Sequence, residues 1–367
     1  MPISPAARRE AARLKAAFEA AGALPVEADT LLPADTLLDL YGEDIRGRAY
    51  VTQDPLLGEM MLRPDFTVPV VQMHMAHGAE PARYCYSGEV FRRQDRDEGR
   101  AREYLQTGYE VFARENPAES DAEVFAMFSQ LLVPLKLRAV IGDIGLLLAA
   151  VNGLTTSETR KAALRRHVWR PKRFRALLDR FSGAAPVAPA RVKLLEKLAT
   201  GSAEALMQEA GPFIGQRSPA EVEARAQALL EDAGTRHIPT READLLDDLL
   251  RVEGAAPEAL KRLEDIGTEL SSIRPAIALM EARLEALSEH GINVDRLGFE
   301  ASHGRTTMEY YDGFVFSFMA DQEGLPPVAN GGRYDALTRV LGQGREIPAV
   351  GGIIRPGLLA QLKEARV

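Results

Sequence analysis

Apolar residues recur at Ala7, Ala11, Leu14 and Phe18, the spacing of one helix face, so the segment between Ser4 and Gly22 predicts a first helix. Ser4 suits its N-cap, Pro5 the first helical position and Gly22 the stop. From Pro25 to about Phe112 the apolar stretches shorten and are broken by Gly, Pro and Asp: AYVTQDPLLGEMMLRPDFTVPVV, RYCYSGEVFRRQD and REYLQTGYEVF. They predict strands and turns of an antiparallel sheet, with one helix over 68–77. Another helix is expected over 120–134, with Ser120 and Glu123 as its capping box. From about Asp143 to His290 Leu, Ala, Glu and Arg dominate, and Gly or Pro interrupts them, a helical texture with no fixed repeat. Strand texture returns from Asn293 in VDRLGFEAS, MEYYDGFVFSFMA, GGRYDALTRVLG and PAVGGII. The pattern predicts an α+β protein: a sheet core over 1–142 and 293–367, interrupted by a helical insertion over 143–292.

Composition narrows the class. The chain has 367 residues with 46% apolar and 27% charged, enough to fill a core. Lys and Arg number 45 against 53 Asp and Glu, a net charge of −8, which argues against a protein whose main task is gripping a nucleic-acid backbone. A single cysteine, Cys85, excludes an internal disulfide and a zinc site of several thiolates, and it reads as a small core residue. The longest apolar runs, such as 144–151, fall short of the roughly 20 residues that span a membrane. The N-terminus has no continuous apolar centre, so a cytoplasmic protein without a membrane partner is expected.

The segment 91–110, FRRQDRDEGRAREYLQTGYE, carries most of the candidate chemistry. Arg92, Arg93, Arg96, Arg100 and Arg102 flank Gly99, either as a loop that closes over an anion or as a solvated hairpin tip. In the return strand Tyr104, Gln106, Gly108 and Glu110 share one face, and Leu105, Thr107, Tyr109 and Val111 the other. Burying Gln and Glu without partners is costly, which favours a polar small-molecule pocket. His74 and His77 lie one turn apart but have no third ligand in sequence, so no metal is expected. His303 either lines the pocket or sits in a loop without a role. The stretch 160–175, RKAALRRHVWRPKRFR, either binds phosphates, RNA or a partner subunit, or is a solvated helix face. The doublet Tyr310–Tyr311 is expected to alternate in a strand, one ring facing the pocket and the other packing.

The same segment resembles motif 2 of the class II aminoacyl-tRNA synthetases, and most of all histidyl-tRNA synthetase. LRPDFTVP over 62–69 resembles the family's LRPE-x-T loop, EYYDGFVF over 309–316 its histidine-specific segment, and GGRYD over 331–335 is the same five residues. Pro33 and the helix after it resemble the dimer-forming motif 1. The resemblance implies a class II synthetase-like core, an antiparallel sheet flanked by helices, that dimerises. It also implies a histidine pocket: Asp65 and Thr67 for the ammonium, Gln106 for the carboxylate or ammonium, and Glu110, Tyr311 and Tyr334 for the imidazole.

The departures from that family fall on the nucleotide side. The adenine-reading glutamate of motif 2 is Gln94, and the arginine after it is Asp95. The arginine that opens the histidine-specific segment falls on Thr306, with Arg305 one residue away; a shift of one reverses the face in a strand. The γ-phosphate arginine of motif 3 falls on Leu358, with Arg355 three residues early. Arg92 and Arg102 are assigned an anion contact left over from nucleotide binding. Charge-assisted hydrogen bonds are worth about 1.5–3 kcal/mol each, so these losses imply adenylation slower by orders of magnitude. After Pro356 only a short tail remains, and no anticodon-binding domain is expected.

The pattern is similar to the family of ATP phosphoribosyltransferase regulatory subunits, non-catalytic paralogues of histidyl-tRNA synthetase. That likeness implies a short catalytic partner subunit, L-histidine as feedback effector, self-association through the core, and no cofactor; tRNA is not an expected partner. The alternative is an active ligase that adenylates histidine or another amino acid. A third reading is an RNA-binding module using 160–175.

Overall fold

The computed structural model describes residues 3–35, 38, 47–94, 101–211, 217–306, 310–322 and 324–365. The Ser4 hydroxyl accepts from the Ala7 N–H at 3.1 Å and opens α1 (Pro5–Ala20), whose buried face is Ala7, Ala11, Leu14 and Phe18. Gly22 leaves the helix at φ +91°, where a Cβ would be strained. β1 (Leu24–Pro25) and β2 (Leu31–Pro33) follow. β2 joins β3 (Val51–Asp54) and β4 (Gly58–Leu62) in a small antiparallel sheet ordered β2-β4-β3. Most of the segment after Pro33, and the loop with Asp95, Arg96, Gly99 and Arg100, lie outside the described residues.

α2 (Thr67–His77) starts one residue before the predicted helix. β5 (Ala82–Phe91) and β6 (Glu103–Phe112) pair along their full length, from Ala82 opposite Phe112 to Phe91 opposite Glu103. α3 (Pro117–Leu132) begins three residues earlier than expected. Asn116, at φ +44°, caps it by accepting from the Glu119 N–H, so Ser120 and Glu123 do not form the capping box. Both sit inside the helix. Glu123 instead accepts from Arg83 at 2.7 and 2.6 Å and from the Tyr109 hydroxyl.

β7 (Arg138–Asp143) leads into a run of helices: α4 (Ile144–Gly153), α5 (Glu158–Arg166), α6 (Pro171–Ser182), α7 (Pro189–Thr200), α8 (Ala203–Glu209), α9 (Pro219–Gly234) and α10 (Thr240–Leu250). A three-residue strand, β8 (Glu253–Ala255), precedes α11 (Ala256–Glu269) and α12 (Arg274–Glu289). The chain closes with β9 (Gly298–Glu300), β10 (Phe314–Met319), β11 (Ala329–Arg333), α13 (Asp335–Leu341), β12 (Ala349–Ile354) and α14 (Pro356–Glu364). No helix among the described residues is long and apolar enough to cross a membrane.

The main sheet runs β1-β5-β6-β12-β11-β10-β7-β9-β8. It is mixed rather than purely antiparallel, because β1 lies parallel to β5 and β7 parallel to β9. Parallel neighbours need a long crossover. Here the helices between β7 and β9 supply one, and the segment carrying the small sheet and α2 supplies the other.

The two faces of this sheet bury different things. Phe314, Phe316 and Phe318 alternate onto one face and meet Phe125 of α3 at ring distances of 6.4, 5.6 and 5.1 Å, while Tyr109 stacks on Phe18 of α1 at 5.2 Å. The same face carries a buried chain of charges. Arg333 donates to Asp121 Oδ1 at 3.0 and 2.7 Å, and Arg283 of α12 donates to Asp121 Oδ2 at 2.8 Å and to Asp143 Oδ2 at 2.9 Å. The other face carries Glu110.

Candidate functional site

Side chains alternate along β6, so Gln106, Gly108 and Glu110 point to the face opposite α3. Two close approaches explain the glycines there. A Cβ on Gly108 would collide with the ring and hydroxyl of Tyr86, and one on Gly351 with the carboxylate of Glu110, its partner across β12. Removing those side chains opens room for a tyrosine and a carboxylate inside the sheet's own footprint.

Glu110 is 1% exposed. Its Oε1 accepts from the Tyr86 hydroxyl at 2.8 Å and the Thr67 hydroxyl at 3.3 Å, and its Oε2 accepts from the Tyr334 hydroxyl at 2.6 Å. Burial nevertheless pushes its pKa up to about 7; the three hydroxyls work against the rise, and the charge of Asp65 adds to it. Asp65 is also buried, and burial raises its pKa, although Arg92 and the N–H groups of Val68 and Thr67 favour its charged form. Arg92 Nη2 stands 3.8 Å from Asp65 Oδ2.

At this site two buried acceptors have no hydrogen-bond partner among the described residues: Asp65 Oδ1 and Gln106 Oε1. Buried polar atoms are normally satisfied, and an orphaned one costs about 1–3 kcal/mol. With the high-pKa carboxylate of Glu110, on which Asp65 acts, they suit a ligand rich in N–H donors and positive charge. Flat walls stand around Glu110. Tyr310 and Tyr311 lie 4.6 Å apart, each 6.2 Å from Tyr334, and Phe66 stacks on Tyr86 at 4.5 Å.

Of the residues singled out from sequence, Thr67, Glu110 and Tyr334 are joined by hydrogen bonds, Tyr311 packs against Tyr334, and Asp65 acts electrostatically on Glu110. Gln106 lies two strand positions from Gly108 on the same face. Tyr86 was not among them, and of the doublet Tyr310–Tyr311 only one ring was expected to face the pocket. Tyr86 pairs across the hairpin with Gly108, a register visible only once β5 and β6 are aligned. The tyrosine doublet does not alternate, because it precedes β10 rather than lying in it; both rings join the cluster, and the Tyr310 hydroxyl lies 3.4 Å from Thr67 Oγ1.

The nucleotide-side candidates are spread out. Arg92 donates its Nε–H to the Pro64 carbonyl at 2.9 Å, and Arg102 is exposed, its carbonyl accepting from the Arg92 N–H. Arg355 spends Nη1 on the Pro327 carbonyl and Asn330 Oδ1, at 2.6 and 2.7 Å. Thr306 is exposed, and Arg305 turns to the Val168 carbonyl; Glu309 lies outside the described residues.

The histidines lie apart from the site. His74 is fully buried, pairs with the Tyr84 hydroxyl at 3.0 Å and stacks on Phe112, while His77 is exposed. His303 meets Ser317 Oγ at 3.0 Å. No cluster of three metal-ligating side chains occurs among the described residues.

Comparison with known proteins adds a lineage. A family model described as histidyl-tRNA synthetase matches residues 4–254 and 216–356. Proteins named ATP phosphoribosyltransferase regulatory subunit are similar along nearly the whole chain. The Brucella anthropi protein is 33% identical over 356 residues, covering 92% of this chain and 93% of its own. The Mesorhizobium japonicum protein is 31% identical over 385 residues, covering 97% of both. Among solved structures, an ATP phosphoribosyltransferase regulatory subunit/histidyl-tRNA synthetase from Bacillus halodurans aligns with a TM-score of 0.67 at 20% identity, covering 97% of this chain and 79% of that one. Histidyl-tRNA synthetase from Nostoc aligns with a TM-score of 0.62 at 19% identity, covering 98% and 73%. The fold is the class II synthetase-like one, with a mixed sheet flanked by helices.

Proposed function

Because the chain belongs to the family of ATP phosphoribosyltransferase regulatory subunits, we propose that it is a non-catalytic regulatory subunit in histidine biosynthesis that senses L-histidine through the tyrosine-lined pocket. In this reading it assembles with a catalytic ATP phosphoribosyltransferase subunit in the cytoplasm, pairs with itself through the synthetase-like core, and does not aminoacylate tRNA.

The observation that carries the ligand assignment is the pair of orphaned acceptors, Asp65 Oδ1, whose charge acts on Glu110, and Gln106 Oε1, on the same strand face as Glu110. An α-ammonium offers three donors and a charge, enough to satisfy both, and an imidazole N–H suits the lone pair of Glu110 Oε2 that Tyr334 leaves over. Charge-assisted bonds of this kind contribute about 1.5–3 kcal/mol each, which separates histidine from a neutral isostere.

Binding has to favour one arrangement of the assembly over another. A coupling of about 1–3 kcal/mol is typical, and it acts in both directions. The nucleotide side supports the same reading: Arg355 is engaged with Pro327 and Asn330, and Thr306 takes the place of a family arginine.

Titration calorimetry with L-histidine and with histidinol, which lacks the carboxylate, tests the pocket, and histidine-dependent ATP–pyrophosphate exchange tests the chemistry. Saturable histidine binding without exchange is expected. Exchange at rates of an active ligase, about 1 per second or faster, overturns the regulatory reading in favour of an amino-acid-adenylating enzyme.

A further inference from the structure

The basic stretch 160–175 is absent from the pocket, yet it is tied to it. Between Glu158 and Asp179 the chain has eight Lys and Arg and no acid, in a protein of net charge −8. Part of that charge is used internally. Arg160 is buried on Asp232 at 2.6 Å, Lys161 meets Glu158 at 3.1 Å, and Arg175 meets Asp247 at 2.7 Å. Arg166, Lys172 and Arg173 are different: all three are exposed, and none has a carboxylate partner among the described residues. They surround the corner between α5 and α6, where His167 Nδ1 is buried without a partner. Burial, and Arg170, Arg173 and Arg166 around it, lower the pKa of the imidazole below its ordinary value.

Two hydrogen bonds clasp this corner to the pocket wall. The Trp169 indole N–H donates to the Tyr311 carbonyl at 3.1 Å, and Arg305 Nε donates to the Val168 carbonyl at 2.9 Å. Arg305 is 5% exposed, lies over the Phe174 ring at 5.1 Å, and has Nη2 without a partner among the described residues. These bonds join the Tyr311 and Arg305 side of the pocket to the segment that presents Arg166, Lys172 and Arg173.

We propose that the α5–α6 corner is the docking face for an acidic surface of the catalytic partner, and that the Trp169–Tyr311 and Arg305–Val168 bonds carry pocket occupancy to it. The inference rests on the regulatory reading above and names the surface that reading leaves open. Charge complementarity selects the occupant. Exposed guanidiniums present planar forks that match carboxylates bidentately, so an acidic surface is the chemistry that this corner fits.

The test uses the full chain and the catalytic ATP phosphoribosyltransferase subunit from the same genome, mixed and measured by sedimentation and biolayer interferometry. The triple variant Arg166→Glu, Lys172→Glu, Arg173→Glu is expected to bind the partner at least ~100-fold more weakly while keeping its melting temperature and histidine affinity, since all three side chains are exposed. Wild-type affinity is expected to fall at least ~10-fold between ~50 and ~300 mM NaCl. Trp169→Phe keeps an aromatic ring but removes the donor. It is expected to dock within ~3-fold of wild type, yet lose the difference in histidine affinity that wild type shows between its free and assembled states.

The outcomes separate. If wild type fails to bind the catalytic chain, the regulatory reading falls and the docking face with it. If wild type binds and the triple variant binds within ~3-fold of it, the corner is not the docking face and the regulatory reading stands. If the corner instead holds a single-stranded RNA as tightly as the partner, and the triple variant loses only the RNA, the acidic-protein assignment is overturned. If Trp169→Phe couples as wild type does, the clasp is not the route.

Discussion

Two buried polar clusters lie on opposite faces of one sheet, and they are finished differently. On the α3 face, Arg333, Asp121, Arg283 and Asp143 form an alternating chain at 2.7–3.0 Å. It links β11, α3, α12 and β7, and Arg283 also lies over the Phe314 ring at 4.6 Å. On the other face, Glu110, Asp65 and Gln106 are as deeply buried; two of their oxygens, both acceptors, have no partner among the described residues, whereas the orphan of the first cluster is a donor, Arg283 Nη2. Removing charges from water is expensive, so a fold keeps them there paired, or leaves them to be completed by something that comes and goes. The first cluster is architecture. The second suits completion by a ligand, as proposed above.

Breaking the first cluster has the largest expected effect. Arg283→Met leaves Asp121 and Asp143 short of a cation and is expected to cost about 3–5 kcal/mol, read as a fall in the urea midpoint. A loss under ~1 kcal/mol would show that the carboxylates simply take up protons. Breaking the second has the opposite signature. Glu110→Gln is expected to weaken histidine at least ~30-fold, the scale of one lost charged hydrogen bond, without lowering stability. The sign follows from the raised pKa. A carboxyl whose pKa is about 7 when folded and about 4.5 when unfolded binds protons more tightly in the fold. Its contribution is fully present below the unfolded value and is lost as pH rises through 7. Glu110→Gln is therefore expected to be more stable than wild type at pH 8 and nearly equal at pH 4.5; a gap independent of pH would sink the assignment.

A smaller effect sharpens the comparison. A cationic ligand favours ionised Glu110, so histidine binding is expected to expel a proton below pH 7, and affinity to fall by up to ~10-fold per pH unit on acidification. Calorimetry in two buffers of different ionisation enthalpy measures this; equal heats at pH 6 would contradict it. Smallest is Thr67→Val. It removes one 3.3 Å hydrogen bond to Glu110 and is expected to change histidine affinity by about 0.5–1.5 kcal/mol and to move the apparent pKa upward.

Much of this molecule was legible in order of sequence distance. The apolar spacing of α1, its Ser4 cap and its Gly22 stop are local, and they hold as read. The hairpin of β5 and β6 and the alternation of Gln106, Gly108 and Glu110 are nearly local, and they hold as well. The helix start at Pro117 was missed because Asn116 caps it in a left-handed backbone that Ser120 and Glu123 do not announce. The parallel pairs β1–β5 and β7–β9 were missed because periodicity shows that a segment is a strand and not which way its neighbour runs.

By itself, then, the sequence determined where the chain is apolar, where helices begin and stop in most places, and which polar residue types recur on one face of β6, since these depend on neighbours a few positions away. The tertiary structure alone decided that Tyr86 lies over Gly108, that both tyrosines of the doublet join the cluster, that Arg283 of a distant helix completes a charge chain, and that one oxygen each of Asp65 and Gln106 has no partner among the described residues. Each of those depends on which strands adjoin and on what burial does to a charge, and burial is a property of the packed chain rather than of any segment of it.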